Sequence, residues 1–252
     1  MALRTVAATR YVTPFREGGS LPGLVEADDD GMYVTKFRGA GQGEKALVAE
    51  VVAGELGRAL GLAVPELVVV DVDPALAAAE PDPEIQELIE ASAGLNLGMD
   101  FLPGALPYTP AAPVDRERAA EIVWFDALVT NVDRTHRNPN LLVWHGKIWL
   151  IDHGAAFFRQ HADKALSLSA HQPMPPAMLA DHVLLSLAGP IDEADKRLAG
   201  RALAAVGEAV ARVPPQWLGR NPASRRGDFA AFLTQRLAHP RSFLEEIARA
   251  RG

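Results

Sequence analysis

The sequence predicts an α+β chain: a small β-rich N-terminal part holding one helix, followed by a larger, mainly helical part carrying a hairpin. Three observations predict it. Glycine-punctuated runs of β-branched and aromatic residues are confined to the first third, up to about Val72. A helical period of three to four dominates after Pro173. Between them, Pro103, Pro107, Pro110 and Pro113 mark a linker, and two short apolar runs flank His145-Gly146.

Taken in order, Gly23–Ala27 and 31–38 form a hairpin about Asp28–Asp30, because β-branched and aromatic residues suit a pleated surface. Gly39-Ala-Gly-Gln-Gly43 is a flexible connector. It lacks the Gly-Lys-Ser/Thr ending of a Walker loop and the spacing of a dinucleotide turn. Leu47, Val48, Val51, Val52, Leu56, Ala59 and Leu60 give Lys45–Leu60 an amphipathic helical pattern that Gly61 stops. Pro65–Val72 is a strand. Pro83–Ala93 and Asp115–Thr130 are helices, the second with Asp115 as N-cap. Leu141–Trp144 and Ile148–Ile151 are the two strands of the hairpin. Helices follow over Pro175–Leu187, Asp192–Val213, Asp228–Leu237 and Arg241–Arg251. Trp124, Trp144 and Trp149 are expected in the core.

The chain has 252 residues, 48% of them hydrophobic and 23% charged, which is ample for a packed core and excludes a disordered protein. Its net charge of -7 lacks the electrostatic footprint of a nucleic-acid binder. With no cysteine, disulfide scaffolds, Cys-ligated zinc and thiol nucleophiles are excluded. The first ten residues do not read as a signal peptide, and no apolar run approaches the ~18 residues needed to span a bilayer, so no stable membrane insertion is expected. A cytoplasmic location is the resulting expectation.

Chemistry concentrates in 125–154. A helix ends in a loop holding Asn131, Asp133, Arg134, His136, Arg137, Asn138 and Asn140; after the hairpin comes Leu-Ile-Asp-His-Gly (150–154). A carboxylate, an amide a few residues on, and a second carboxylate beyond a hairpin suit phosphoryl transfer. One carboxylate orients or deprotonates the attacking hydroxyl, while oxygen donors hold Mg²⁺ against phosphates. No zinc-binding His-Glu-x-x-His occurs. His136 reads as a brace for the loop, and His161, His171, His182 and His239 as surface or core-edge residues. Arg225, Arg226, Arg241, Arg249 and Arg251 read as a solvated basic fringe.

These motifs resemble those of the protein-kinase-like superfamily, most closely the HipA-like kinases and more distantly the phosphatidylinositol kinases. Over roughly residues 11–160, the resemblance implies a bilobal fold, with an N-lobe to 102 and a C-lobe from 103, and an ATP–Mg²⁺ cleft between them. It implies that Asp133 is the catalytic aspartate and Asp152 the principal metal ligand. Asn138 lies five residues beyond Asp133, the superfamily's usual spacing, whereas Asn140 directly precedes the hydrophobic strand, its usual context; both stand as metal-ligand candidates. Lys36 becomes the lysine that grips the α/β-phosphates and Glu50 its partner, with Glu55 competing. Gly18, Gly19 and Ser20 fall in the turn over the phosphates, and the backbone of Asp100, Phe101 and Leu102 at the hinge, against adenine. The implied reaction is γ-phosphoryl transfer from ATP to a serine or threonine of a protein. The same cleft serves a lipid or small-molecule kinase, and a nucleotide-binding module without turnover is the further alternative.

Overall fold

The computed structural model describes residues 2–15, 21–41, 43–161 and 165–252. Five strands, β1 (Thr5–Pro14), β2 (Gly23–Ala27), β3 (Met32–Lys36), β4 (Leu67–Val72) and β5 (Gly94–Asp100), close into a barrel in the order β1-β2-β3-β5-β4. The expected β2–β3 hairpin is present, with Val25 opposite Tyr33. Closure depends on two strands the sequence pattern did not predict. β1 pairs in parallel with β4, setting Thr5–Ala7 beside Val69–Asp71. β5 lies between β3 and β4, and its last residue, Asp100, is the first of the expected hinge residues. Gly98 makes that placement possible: a Cβ there would lie 2.5 Å from Val70 Cγ2 and 2.9 Å from Val68 Cγ2.

The barrel encloses a small core of Val6, Val25, Tyr33, Phe37, Val68 and Val70, to which helix α2 (Pro83–Ala91) adds Ile85 and Ile89. Helix α1 (Glu44–Ala59) departs from the amphipathic expectation: every residue from Leu47 to Gly57 is buried. It belongs to the large core, packed against α5 (Ile191–Ala211). A helix covered on all sides carries no solvent face, so its glutamates must find partners inside. Helix α3 (Arg116–Leu128), capped by Asp115, is likewise buried from Ile122 to Leu128.

The proline-rich linker contains a short strand, β6 (Leu106–Pro107), paired with β7 (Leu141–Trp144), which forms the predicted hairpin with β8 (Lys147–Leu150). The helix expected over Pro175–Leu187 is only α4 (Pro176–Ala180). Beyond it the backbone is diverted to the loop of Asp133: Thr135 and His182 form a β-bridge, and the Val183 N–H donates to the Arg134 carbonyl at 3.0 Å. Helix α6 (Pro222–Leu237) starts six residues earlier than expected, capped by Asn221, and α7 (Ser242–Arg251) closes the chain. Trp124 is fully buried, but Trp144 and Trp149 are only half-buried, contrary to expectation. They form an edge-to-face pair 5.4 Å apart on the hairpin.

Candidate active site

Alternation along β3 sends Tyr33 into the barrel core and Thr35 to the same buried side, and turns Lys36 the other way, toward α1. There its ammonium donates to Glu50 Oε2 at 2.6 Å and to Asp152 Oδ1 at 2.7 Å. The resemblance-based pairing with Glu50 is therefore present. Glu55 is engaged elsewhere, with Arg212 at 3.1 Å, and its carboxyl is pushed up by burial. The other oxygen of Glu50 accepts the His153 backbone N–H at 2.9 Å. One carboxylate thus ties a strand of the barrel to the residue after Asp152. Burial disfavours the charges of both Lys36 and Glu50. Their attraction, helped by Asp152 on one side and His153 on the other, outweighs it. Glu50 is held well below, and Lys36 above, its usual range.

Helix α3 delivers the second half of the site. Asp126, completely buried near its end, accepts from Arg134 Nε at 2.6 Å, from Asn131 Nδ2 at 2.9 Å and is 3.0 Å from His182 Nε2. Burial raises its carboxyl, but Arg134 and His182 outweigh burial and leave it below the usual range. The loop beyond α3 is pinned by this network, and Asp133 stands half-buried on it. Its Oδ2 accepts from Asn138 Nδ2 at 2.8 Å and from Asn140 Nδ2 at 3.4 Å. Burial nevertheless pushes the Asp133 carboxyl above its ordinary value, with Asp152 adding to the rise. A carboxylate so shifted, flanked by amides, is suited to accept a proton.

Both candidate amides are therefore brought beside Asp133. Asn140 is also joined to the Asp152 segment, its carbonyl accepting the Ile151 N–H at 3.1 Å. Asn140 and Asp152 have left-handed backbones, with φ of 49° and 54°. Single Asn and Asp residues adopt this region more readily than most, and strain of this kind gathers at functional sites. Asp152 keeps 41% of its side chain exposed. Among the described residues no cluster of three His, Cys, Asp or Glu side chains is suited to hold a metal. A carboxylate, amide oxygens and substrate phosphates nevertheless fit Mg²⁺, which binds hard oxygen donors and retains waters.

At the expected hinge, the Asp100 and Phe101 N–H groups already donate to the carbonyls of Glu66 and Met32, at 2.8 and 2.9 Å. Among the described residues no backbone acceptor takes the Leu102 N–H. Gly18, Gly19 and Ser20 lie outside the described residues. The structure corrects the expectation for two histidines: His136, expected as a brace, is exposed, and His182, expected at the surface or core edge, is buried against Asp126, as His153 is buried against Glu50. His153 follows Asp152 directly, an available signal. Nothing local marked His182, which lies 56 residues from Asp126.

A family model for HipA-like kinases matches residues 9–242. The chain belongs to the HipA-like kinase family. Among solved structures this kinase-family chain is similar to the proinflammatory kinase CtkA of Helicobacter pylori, at 13% identity over 98% of both chains and a TM-score of 0.59. That likeness concerns the fold. Two structures of the Golgi casein kinase, one with Mn/ADP bound, are 14% identical over the whole of this chain and 73% and 74% of theirs, with TM-scores of 0.45. No curated protein matches the chain. No helix among the described residues is long and apolar enough to cross a membrane.

Proposed function

We propose that this HipA-like chain is an ATP-dependent kinase that transfers the γ-phosphoryl group to a serine or threonine hydroxyl of a protein, in a cleft between an N-lobe ending at Leu102 and a C-lobe beginning at Pro103. The observation that carries the reading is the Lys36–Glu50–Asp152 ion cluster. Three elements distant in sequence converge there, close to a loop that holds an aspartate between two amides.

Lys36 binds the α/β-phosphates, kept in place by Glu50. At the hinge, the Leu102 N–H is the backbone donor left for the base. Asp152 with Asn140 or Asn138 would hold Mg²⁺, which supplies charge neutralisation of the phosphates when bound. Asp133 aligns the acceptor hydroxyl and receives its proton. The hydroxyl oxygen forms the new bond to the γ-phosphorus as the bond to the β-phosphate oxygen breaks, and ADP leaves. Positioning and electrostatics do most of such catalysis.

Thermal melting with and without ATP–Mg²⁺ tests nucleotide binding, because a ligand that binds only the native state raises Tm. Phosphopeptide mass spectrometry after incubation with ATP–Mg²⁺ tests transfer, with Asp133→Ala as control. The expected result is a raised Tm in both proteins and phosphate incorporation in the wild type alone. Equal incorporation by Asp133→Ala, or an unmoved wild-type Tm, refutes the reading.

A further inference from the structure

Arg134 follows the proposed catalytic aspartate, yet it is 1% exposed and cannot meet substrate from where it lies. Its guanidinium is shared between two tasks. Nε and Nη2 face the Asp126 carboxylate at 2.6 and 3.4 Å. Nη1 donates to the carbonyl of Asn140 and, at 3.4 Å, to the carbonyl of Ile151. Those carbonyls belong to Asn140 itself and to the residue immediately before Asp152, the two left-handed positions of the site. A planar fork with fixed donor directions can hold both at once; a lysine ammonium has no such fork.

The far side of the fork is itself fixed. Asp126 takes further hydrogen bonds from Asn131 and His182. His182 Nδ1 accepts the Leu184 N–H at 3.1 Å, so the ring proton belongs on Nε2, directed at Asp126. The Arg134 carbonyl is held by the Val183 N–H.

We infer that Arg134 is a positioning residue that holds Asn140 and Asp152 in the left-handed conformations aiming them at the nucleotide-bound metal, with Asp126 and His182 as its buttress. The inference rests on the ATP–Mg²⁺ reading of the cleft. A buried ion pair serving only the fold would affect all packed elements together. A clamp acts first on the two short segments it grips.

The test uses the whole chain as Arg134→Lys and as His182→Gln. In metal-free protein, amide exchange at 140–141 and 151–153 is expected to rise by about tenfold in Arg134→Lys, while α5 and α6 exchange as in wild type. With ADP as probe, the Mg²⁺ concentration that half-saturates the metal-dependent gain in affinity is expected to rise about 10–100-fold, as for other outer-shell partners of metal ligands. ADP affinity without metal should stay within about twofold. Uniformly faster exchange, or wild-type exchange and Mg²⁺ dependence, overturns the inference. If Arg134→Lys does not fold, His182→Gln decides by the same readouts, with the same direction and a smaller size. A wild-type chain whose ADP binding ignores Mg²⁺ refutes the nucleotide reading instead, and the exchange measurement still judges the clamp.

Discussion

Replacing Glu50 by Gln removes one charge from the ion pair that holds Lys36. At 2.6 Å the Glu50–Lys36 attraction is about 6 kcal/mol for an effective dielectric of about 20. Burial of both groups offsets part of that. Gln at this position leaves Lys36, whose side chain is 14% exposed, with Asp152 as its remaining anionic partner. Removing one member of a buried pair costs about 3–5 kcal/mol. At about 2–4 °C per kcal/mol for a chain of this size, Tm should fall by roughly 6–20 °C. The pair itself is isolated by a double-mutant cycle with Lys36→Met in urea denaturation, where the coupling should exceed about 2 kcal/mol. The sign of the pH dependence follows from the depressed Glu50 carboxyl. Its stabilisation is complete above the ordinary glutamate value of about 4.3 and is lost as pH falls through the lower folded value. Glu50→Gln should flatten that acid limb. A coupling below about 0.5 kcal/mol, or an unchanged acid limb, would falsify the account of this pair.

Four further outcomes are expected. Asp133→Asn should lower kcat by about 10²–10⁴-fold with ADP–Mg²⁺ affinity within twofold, measured by initial rates and calorimetry. In the wild type the acid limb of kcat/KM should lie above the ordinary aspartate value of about 3.9, activity falling as pH falls, because burial raises that carboxyl. Arg236, buried between Phe232 and Phe243, donates to the carbonyls of Ala127 and Leu128 at the end of α3 and pairs with Glu246 at 3.2 Å. Arg236→Met should destabilise by about 3–5 kcal/mol in urea, and adding Glu246→Gln should restore part of it by neutralising the stranded carboxylate. Gly98→Ala should cost about 1–3 kcal/mol through overpacking against Val70, and Val70→Ala should relieve it; additive losses would rule out that contact.

Local chemistry determined much of this protein from sequence. The β2–β3 hairpin, α1, α3 with its Asp115 cap, and the β7–β8 hairpin were legible because turn residues, caps and periodicity act within a few residues of themselves. So was the order of Lys36, Glu50, Asp133, the two asparagines and Asp152. Tertiary structure alone decided what depends on distant partners. β1 and β5 became strands because the barrel supplies the edges they pair with. α1 lost its solvent face to the elements packed around it, and the helix after Pro175 was cut short where His182 reaches the loop of Asp133. The sequence by itself singled out the groups proposed to carry the chemistry. The buried Asp126–Arg134–His182 network that aims them is a product of folding, since a charge becomes a fixed strut only when burial removes water as a competing partner.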